Sequence, residues 1–190
     1  MRVIGGKAKG HRLKMVPGDT TRPITDRVKE NLFNILGNWI IGTRWLDLFA
    51  GTGQVGIEAL SRNAEHAVFV DSERHAVRTI RANLDHTRLA NYATVVQRDA
   101  FSYLRKSRSG IVDVIYVAPP QYKGLWKEVM QTVDKQPGSW LTTEGLVIAQ
   151  IDPVEFEELE LENLQLGDQR KYGRTMLCFY EIKSTYSTST

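Results

Sequence analysis

Residues 46–60 read LDLFAGTGQVGIEAL: an apolar run, then Gly51-x-Gly53-x-x-Gly56, then an apolar pattern of helical spacing. This is the signature of a buried strand that turns tightly into a helix, predicted here from about Gln54 to Asn63. The glycines allow the turn, a ligand close to the backbone, and close packing of the helix. By itself the motif fits several nucleotide cofactors and sometimes none. Asp71 lies twenty residues after Gly51, at the end of a second apolar run, HAVFVD, where its carboxylate suits a ribose diol. Together the two features favour a nucleoside-type cofactor over a purely structural turn. Two cofactors then compete. NAD places a pyrophosphate at the helix N-terminus, and Asp47, inside the strand, would repel it. The ammonium of S-adenosylmethionine would instead be drawn to Asp47, so the methyl donor is preferred. Asp99, ending ATVVQRD, suits an adenine amino group, with Ala100 and Phe101 near the ring; Phe49 and Ser72 complete the expected cofactor set.

Working outward, strand patterns alternate with helix patterns. TRWLDLFA, HAVFVD, ATVVQRD, IVDVIYVA and GLVIAQI read as five strands. Helices are expected before each of the later ones: the one after Asp71 reaches about Leu84, FSYLRKS is short, and KGLWKEVMQTVDKQ is longer. Such alternation requires crossovers and therefore an α/β architecture with a mostly parallel sheet. LQLGDQRKYGRTMLCFYEI reads as two strands joined by a turn at Lys171–Arg174, so the sheet is expected to end in an antiparallel pair. DPVEFEELELE, with six acids and no base, reads as a solvated edge or short helix. A single domain over 1–183 is expected: a basic hairpin over 1–20, a helix over 21–40, a core over 41–183, and a disordered tail over 184–190.

The helix over 21–40 draws on TTRPITDRVKENLFNIL, in which Val28, Leu32, Ile35 and Leu36 share one face and Thr25 with Asp26 can cap the start. Net charge is +3, unevenly spread: residues 1–31 carry +5 and the remainder −2. A basic arm on a near-neutral body points to an anionic partner, nucleic acid first. No run approaches the roughly 18 apolar residues needed to span a bilayer, and the basic start lacks an apolar segment, so a cytoplasmic protein with no membrane partner is expected. The one cysteine, Cys178, reads as core packing. His11, His66, His75 and His86 lack ligand spacing, and no metal is expected.

A second stretch carries chemistry. VAPPQY, residues 117–122, ends a strand on two prolines that cannot donate to a sheet ladder. It is either a plain strand end or a pocket wall of exposed carbonyls. RVIGGKAKGHRLK, TRPITDRVKENLFNIL, LDLFAGTGQVGIEALSRNA, FVD and this proline pair together resemble the bacterial RsmD family of small-subunit ribosomal RNA guanine-N2 methyltransferases. The resemblance implies a class I S-adenosylmethionine-dependent methyltransferase fold: Rossmann-like, with a seven-stranded sheet, an antiparallel last strand and an N-terminal β-hairpin that engages RNA. It implies that Arg22, Pro23, Thr25, Asp26 and Arg27 line the cofactor, with Arg22 and Thr25 contacting it, and that Arg2, Lys7, Lys9, Arg12 and Lys14 hold phosphates. It further implies that Ala118, Pro119, Pro120, Gln121 and Tyr122 form the catalytic segment, where the family usually reads DPPY or DPPF. Acceptors there would orient the exocyclic amine, and the aromatic ring would stack on the base.

The departures are Ala118, which lacks the side-chain acceptor, and Gln121, which displaces the ring to Tyr122. Losing a charge-assisted acceptor costs about 1.5–3 kcal/mol, a slowing of roughly 10- to 150-fold. Gln121 and Tyr122 are candidate replacements. The expected partner is ribosomal RNA or the small subunit, bound by a monomer. The rival expectation is a catalytically impaired cofactor- and RNA-binding homologue acting in ribosome assembly.

Overall fold

The computed structural model describes residues 1–18, 24–106 and 111–184. It contains a seven-stranded sheet and falls into two compact units, Met1–Ala100 and Phe101–Thr190, taken here in turn.

In the first unit the chain enters through a short loop rather than a strand pair. One antiparallel bridge, Arg2 to Arg12, is flanked by Val3 N donating to His11 O and Leu13 N to Met1 O. The expected hairpin is thus reduced to a single rung, because glycines at 5, 6 and 10 and buried Val3, Ala8 and Leu13 fold the segment onto its neighbours. Helix α1 covers Asp26–Leu36, capped as expected by Thr25, whose hydroxyl accepts from Val28 N at 3.3 Å. It is shorter than the expected 21–40: it ends at Gly37, and a 3-10 turn, Gly37–Ile40, follows. Of the expected helical stretch, 21–23 lie outside the described residues.

Strands β1 (Arg44–Leu48), β2 (His66–Asp71) and β3 (Ala93–Gln97) pair in parallel in the order β3-β2-β1, with Asp47 opposite Phe69 and Asp71 opposite Gln97. Between them run α2 (Gln54–Ser61), every residue of which is buried, and α3 (Arg74–Thr87). α3 buries Ala76, Val77, Ile80 and Leu84 and presents its other face to solvent.

In the second unit α4 (Ala100–Lys106, whose first residue closes the first unit) precedes β4 (Val112–Val117). α5 (Leu125–Asp134) then buries Trp126, Val129, Met130 and Val133 at helical spacing. β5 covers Leu141–Ile151, four residues more than expected, and pairs in parallel with β4; a register shift between Val112 and Val114 absorbs the stretch around Gly145. β6 (Leu164–Tyr172) and β7 (Thr175–Ile182) form the expected antiparallel pair, β7 also running antiparallel to β5, in the order β4-β5-β7-β6. The acidic stretch is irregular apart from one 3-10 turn, Pro153–Glu155. Asp134 organises its end: the carboxylate accepts from Glu162 N, Asn163 N and Leu164 N at 2.7–2.9 Å and steers the chain into β6. Cys178 is buried in β7, and burial pushes its thiol up to about 12, consistent with an inert packing residue. Of the tail, 185–190 lie outside the described residues. No helix among the described residues is long and apolar enough to cross a membrane.

Candidate active site

The glycine loop leaves the C-terminal end of β1, where parallel sheets place their ligands. Gly51 and Gly53 adopt φ of 57° and 75°, and Phe49 adopts 60°, a conformation that costs a side-chain-bearing residue about 1–3 kcal/mol. Gly53 N donates to Ala50 O at 2.7 Å, closing the turn. Gly56 permits the helix to lie against β2: a Cβ there would stand 2.4 Å from the Phe69 ring.

Asp47 is 2% exposed, and its Oδ2 accepts from Gly56 N at 3.2 Å. Loss of water raises its carboxyl well above the usual range; the Gly56 N–H opposes this, and the negative charge of Asp71 adds to it. Asp71 ties the loop together. Its Oδ2 accepts from Gly51 N at 2.8 Å and its Oδ1 from Glu73 N at 2.9 Å, while its carbonyl accepts from Arg98 N at 2.9 Å. The ends of β1, β2 and β3 are therefore fastened at one residue, with Ser72 and Asp99 exposed beside them along the chain. Ala100 and Phe101 begin α4, the first buried and the second half-buried. Sequence reasoning missed Gln54, the first residue of α2, whose buried Oε1 has no hydrogen-bond partner among the described residues. Thr25 spends its hydroxyl on the α1 cap, and Arg22 lies outside the described residues.

The basic arm is held by α1 and α2. Glu58 is 0% exposed; Oε2 accepts from Ile4 N (2.8 Å) and lies 3.5 Å from Lys29 Nζ, and Oε1 accepts from Gly5 N (2.8 Å) and Arg62 Nε (2.9 Å). Arg2 pairs with Asp26 at 3.3 Å, and Lys7 Nζ sits 4.1 Å over the Tyr92 ring. Lys9, Arg12 and Lys14 are exposed and make no ion pair among the described residues.

In the second unit the proline segment follows β4. Ala118 is half-buried, Pro119 buried, and Pro120, Gln121 and Tyr122 exposed. Tyr122 has φ 61° and is 59% exposed, yet it is held at three points. Its N–H donates to Glu155 Oε1 (2.7 Å), its hydroxyl donates to Asp152 Oδ2 (2.7 Å), and Arg174 Nη2 donates to the hydroxyl oxygen (3.3 Å). Asp152, only 4% exposed, also accepts from Val154 N at 3.1 Å. The Tyr122 hydroxyl first, then the Val154 N–H and the Arg174 charge, hold its carboxyl below the usual range. Asp152 and Glu155 correct the expectation of a merely solvated acidic edge: the Asp-Pro at the end of a strand was the available signal. No group of three or more metal-ligating side chains occurs among the described residues.

A family model described as Conserved hypothetical protein 95 matches residues 1–181. The chain is 39% identical to YlbH of Bacillus subtilis, over 95% of this chain and 98% of that one. It is 34% identical to the ribosomal RNA small subunit methyltransferase D of Escherichia coli, over 86% and 76%. The solved structure of yhhF from Escherichia coli superposes with a TM-score of 0.84 and 31% identity, covering 97% of this chain and 99% of that one. An RNA methyltransferase from Salinibacter ruber, solved with S-adenosyl-L-homocysteine, shares the fold at a TM-score of 0.65 and 14% identity, over 87% and 97%. The class I methyltransferase fold, the match along nearly the whole chain and these relatives agree, and the chain belongs to the RsmD family.

Proposed function

We propose that this protein is an S-adenosylmethionine-dependent methyltransferase that modifies an exocyclic base amine of ribosomal RNA, guanine N2 of the small subunit. The observation that carries the cofactor is Asp47, a carboxylate buried beside the glycine loop that pairs with no cation among the described residues. A ligand bearing an ammonium relieves the cost of that burial, and Gln54 Oε1, without a partner among the described residues, adds an acceptor beside the same loop. A pyrophosphate would meet Asp47 as a repulsive charge. S-adenosylmethionine, when bound, supplies a methyl group on a sulfonium centre.

The remaining roles belong to the chain. Asp47 takes the ammonium, and Gly51 and Gly53 let the ligand approach the backbone. Asp71, whose carboxylate fastens Gly51 N and Glu73 N at the mouth of the loop, takes the ribose hydroxyls. Asp99 takes the adenine amine, and Phe49, Ser72, Ala100 and Phe101 line the ligand; Arg22 and Thr25 belong to the same set. The carbonyls of Ala118 and Pro119 accept from the guanine amine, and Tyr122 stacks on the base. The amine proton leaves to solvent after transfer. Arg2, Lys7, Lys9, Arg12 and Lys14 hold phosphates, and the protein acts as a cytoplasmic monomer without a metal.

The test is tritiated methyl transfer to small ribosomal subunits lacking the modification; no incorporation by folded protein that binds the cofactor rejects the enzymatic reading. Ala118 sustains a second reading, a relic that binds cofactor and RNA in ribosome assembly. Ala118→Asp decides between them: a rise from no activity favours the relic, and a fall from an active baseline favours an adapted pocket. The Tyr122 ring gives a further expectation. Base–aromatic stacking contributes about 1–3 kcal/mol, so Tyr122→Ala is expected to slow single-turnover transfer roughly 5- to 150-fold. Tyr122→Phe keeps the ring but loses its anchors to Asp152 and Arg174, and is expected to fall between the parent and Tyr122→Ala in the same assay.

A further inference from the structure

Helix α3 carries Arg74, Arg78 and Arg81, and Arg88 stands at its C-terminal cap; all four are exposed. Spacings of four, three and seven residues place them in one stripe along the helix, broken only by Asp85. None of the four makes an ion pair, a side-chain hydrogen bond or a ring contact among the described residues. Of the four, only Arg88, at the C-terminal cap, is favoured by the helix dipole. Like charges at these spacings repel, and Arg74 sits in the first turn, where the helix dipole disfavours a cation. The opposite face is committed to the core through Ala76, Val77, Ile80 and Leu84.

The same helix also holds the basic arm. Lys14 N donates to Asn83 Oδ1 (2.7 Å), Asn83 Nδ2 donates to Lys14 O (3.1 Å), and the His11 and His86 rings meet edge to face at 5.2 Å. Arm and helix are thus fixed in one unit, and the three unpaired arm cations, Lys9, Arg12 and Lys14, join four unpaired arginines.

We infer that the arginine face of α3 is a second contact surface for the RNA phosphate backbone, beyond the arm. This rests on the reading of the protein as an RNA-modifying enzyme. Arg74 to Arg88 spans about 21 Å of helix, enough to face several phosphates. Guanidinium forks match phosphate oxygens bidentately. A membrane surface is the poorer occupant, because the apolar side of α3 is buried in the core and cannot insert.

The test is fluorescence anisotropy with a labelled hairpin transcript of small-subunit ribosomal RNA, between about 50 and 200 mM salt. The triple variant Arg74→Gln, Arg78→Gln, Arg81→Gln is expected to bind at least about tenfold more weakly. Its slope of log affinity against log salt should be shallower by about 2 to 3, one phosphate contact contributing about 0.7–0.9. Calorimetry should give it unchanged S-adenosylmethionine affinity, and the Arg→Lys triple variant should keep most of the slope, which separates lost charge from lost folding. Parent-like affinity and slope in the Gln triple overturn the inference. If Lys9→Gln, Arg12→Gln, Lys14→Gln abolishes binding while the α3 triple does not, the RNA reading stands and the α3 surface falls. A parent that binds anionic phospholipid vesicles and not the hairpin overturns both.

Discussion

Asp47→Asn is expected to make the protein free of cofactor more stable and, in the same preparation, a far poorer binder of S-adenosylmethionine. The two effects have one cause. Asp47 is buried and receives a single backbone N–H, so its ionised form is costly and its carboxyl titrates well above the usual range. Because the folded-state pKa exceeds the unfolded one, near 3.9, the folded protein holds the extra proton in between. Stability without cofactor therefore falls as pH rises through that window, and the penalty is complete above the folded value. An amide still accepts from Gly56 N and carries no such penalty. Each kcal/mol recovered should raise the melting temperature at pH 8 by about 2–4 °C.

Binding moves the other way. Losing a charge-assisted partner for an ammonium costs about 1.5–3 kcal/mol, a roughly 10- to 150-fold weaker dissociation constant by calorimetry. The parent's affinity should rise with pH as Asp47 ionises, whereas the variant's should lose that dependence. A variant that is both less stable and unaltered in affinity would show that Asp47 merely fastens β1 to α2.

The second large effect is expected at Glu58. Glu58→Ala leaves the Lys29 ammonium, itself 0% exposed, without its carboxylate and leaves Ile4 N and Gly5 N without their acceptors. Breaking one side of a buried pair costs about 3–5 kcal/mol, so the urea midpoint should drop by more than about 1 M. Glu58→Gln should be nearly as harmful, since its NH2 would face the donors of Ile4 or Gly5. Burial already lowers the Lys29 pKa, with Glu58 the main opposing influence. Removing Glu58 lowers it further, so the unfolded chain binds the extra proton across a wider alkaline window and the variant's deficit should shrink as pH rises toward 10. Lys29→Met in the same background should recover part of the loss. Unchanged midpoints would mean that solvent reaches the pair. The arm that leans on Glu58 should loosen with it, because Lys29 Nζ also donates to Arg2 O at 2.6 Å.

What the chain disclosed beforehand follows from its physics. Parallel strands are apolar runs and amphipathic helices repeat every 3.6 residues, so β1 to β4, β6, β7 and the glycine loop were legible. Gly145 concealed the start of β5, because a glycine inside a strand resembles its boundary until the β4 register shift is seen. Glu58, within the apolar VGIEAL, gave no sign that it faces the arm, since its four donors come from residues 4, 5, 29 and 62. Asp152 and Arg174 meet Tyr122 only because the ends of β5 and the β6–β7 turn converge, a contact of long sequence separation. The α3 arginines were readable from spacing alone, but the residues after 31 sum to −2, and that net value conceals a local cluster of cations.

The most direct measurement is the identity of the labelled nucleoside. Ribosomal RNA from small subunits incubated with this protein and isotopically labelled S-adenosylmethionine would be digested to nucleosides and resolved by mass spectrometry against standards. The account predicts label in N2-methylguanosine and little elsewhere. Label confined to another nucleoside, or to large-subunit RNA, or absent despite measured cofactor binding, would contradict it.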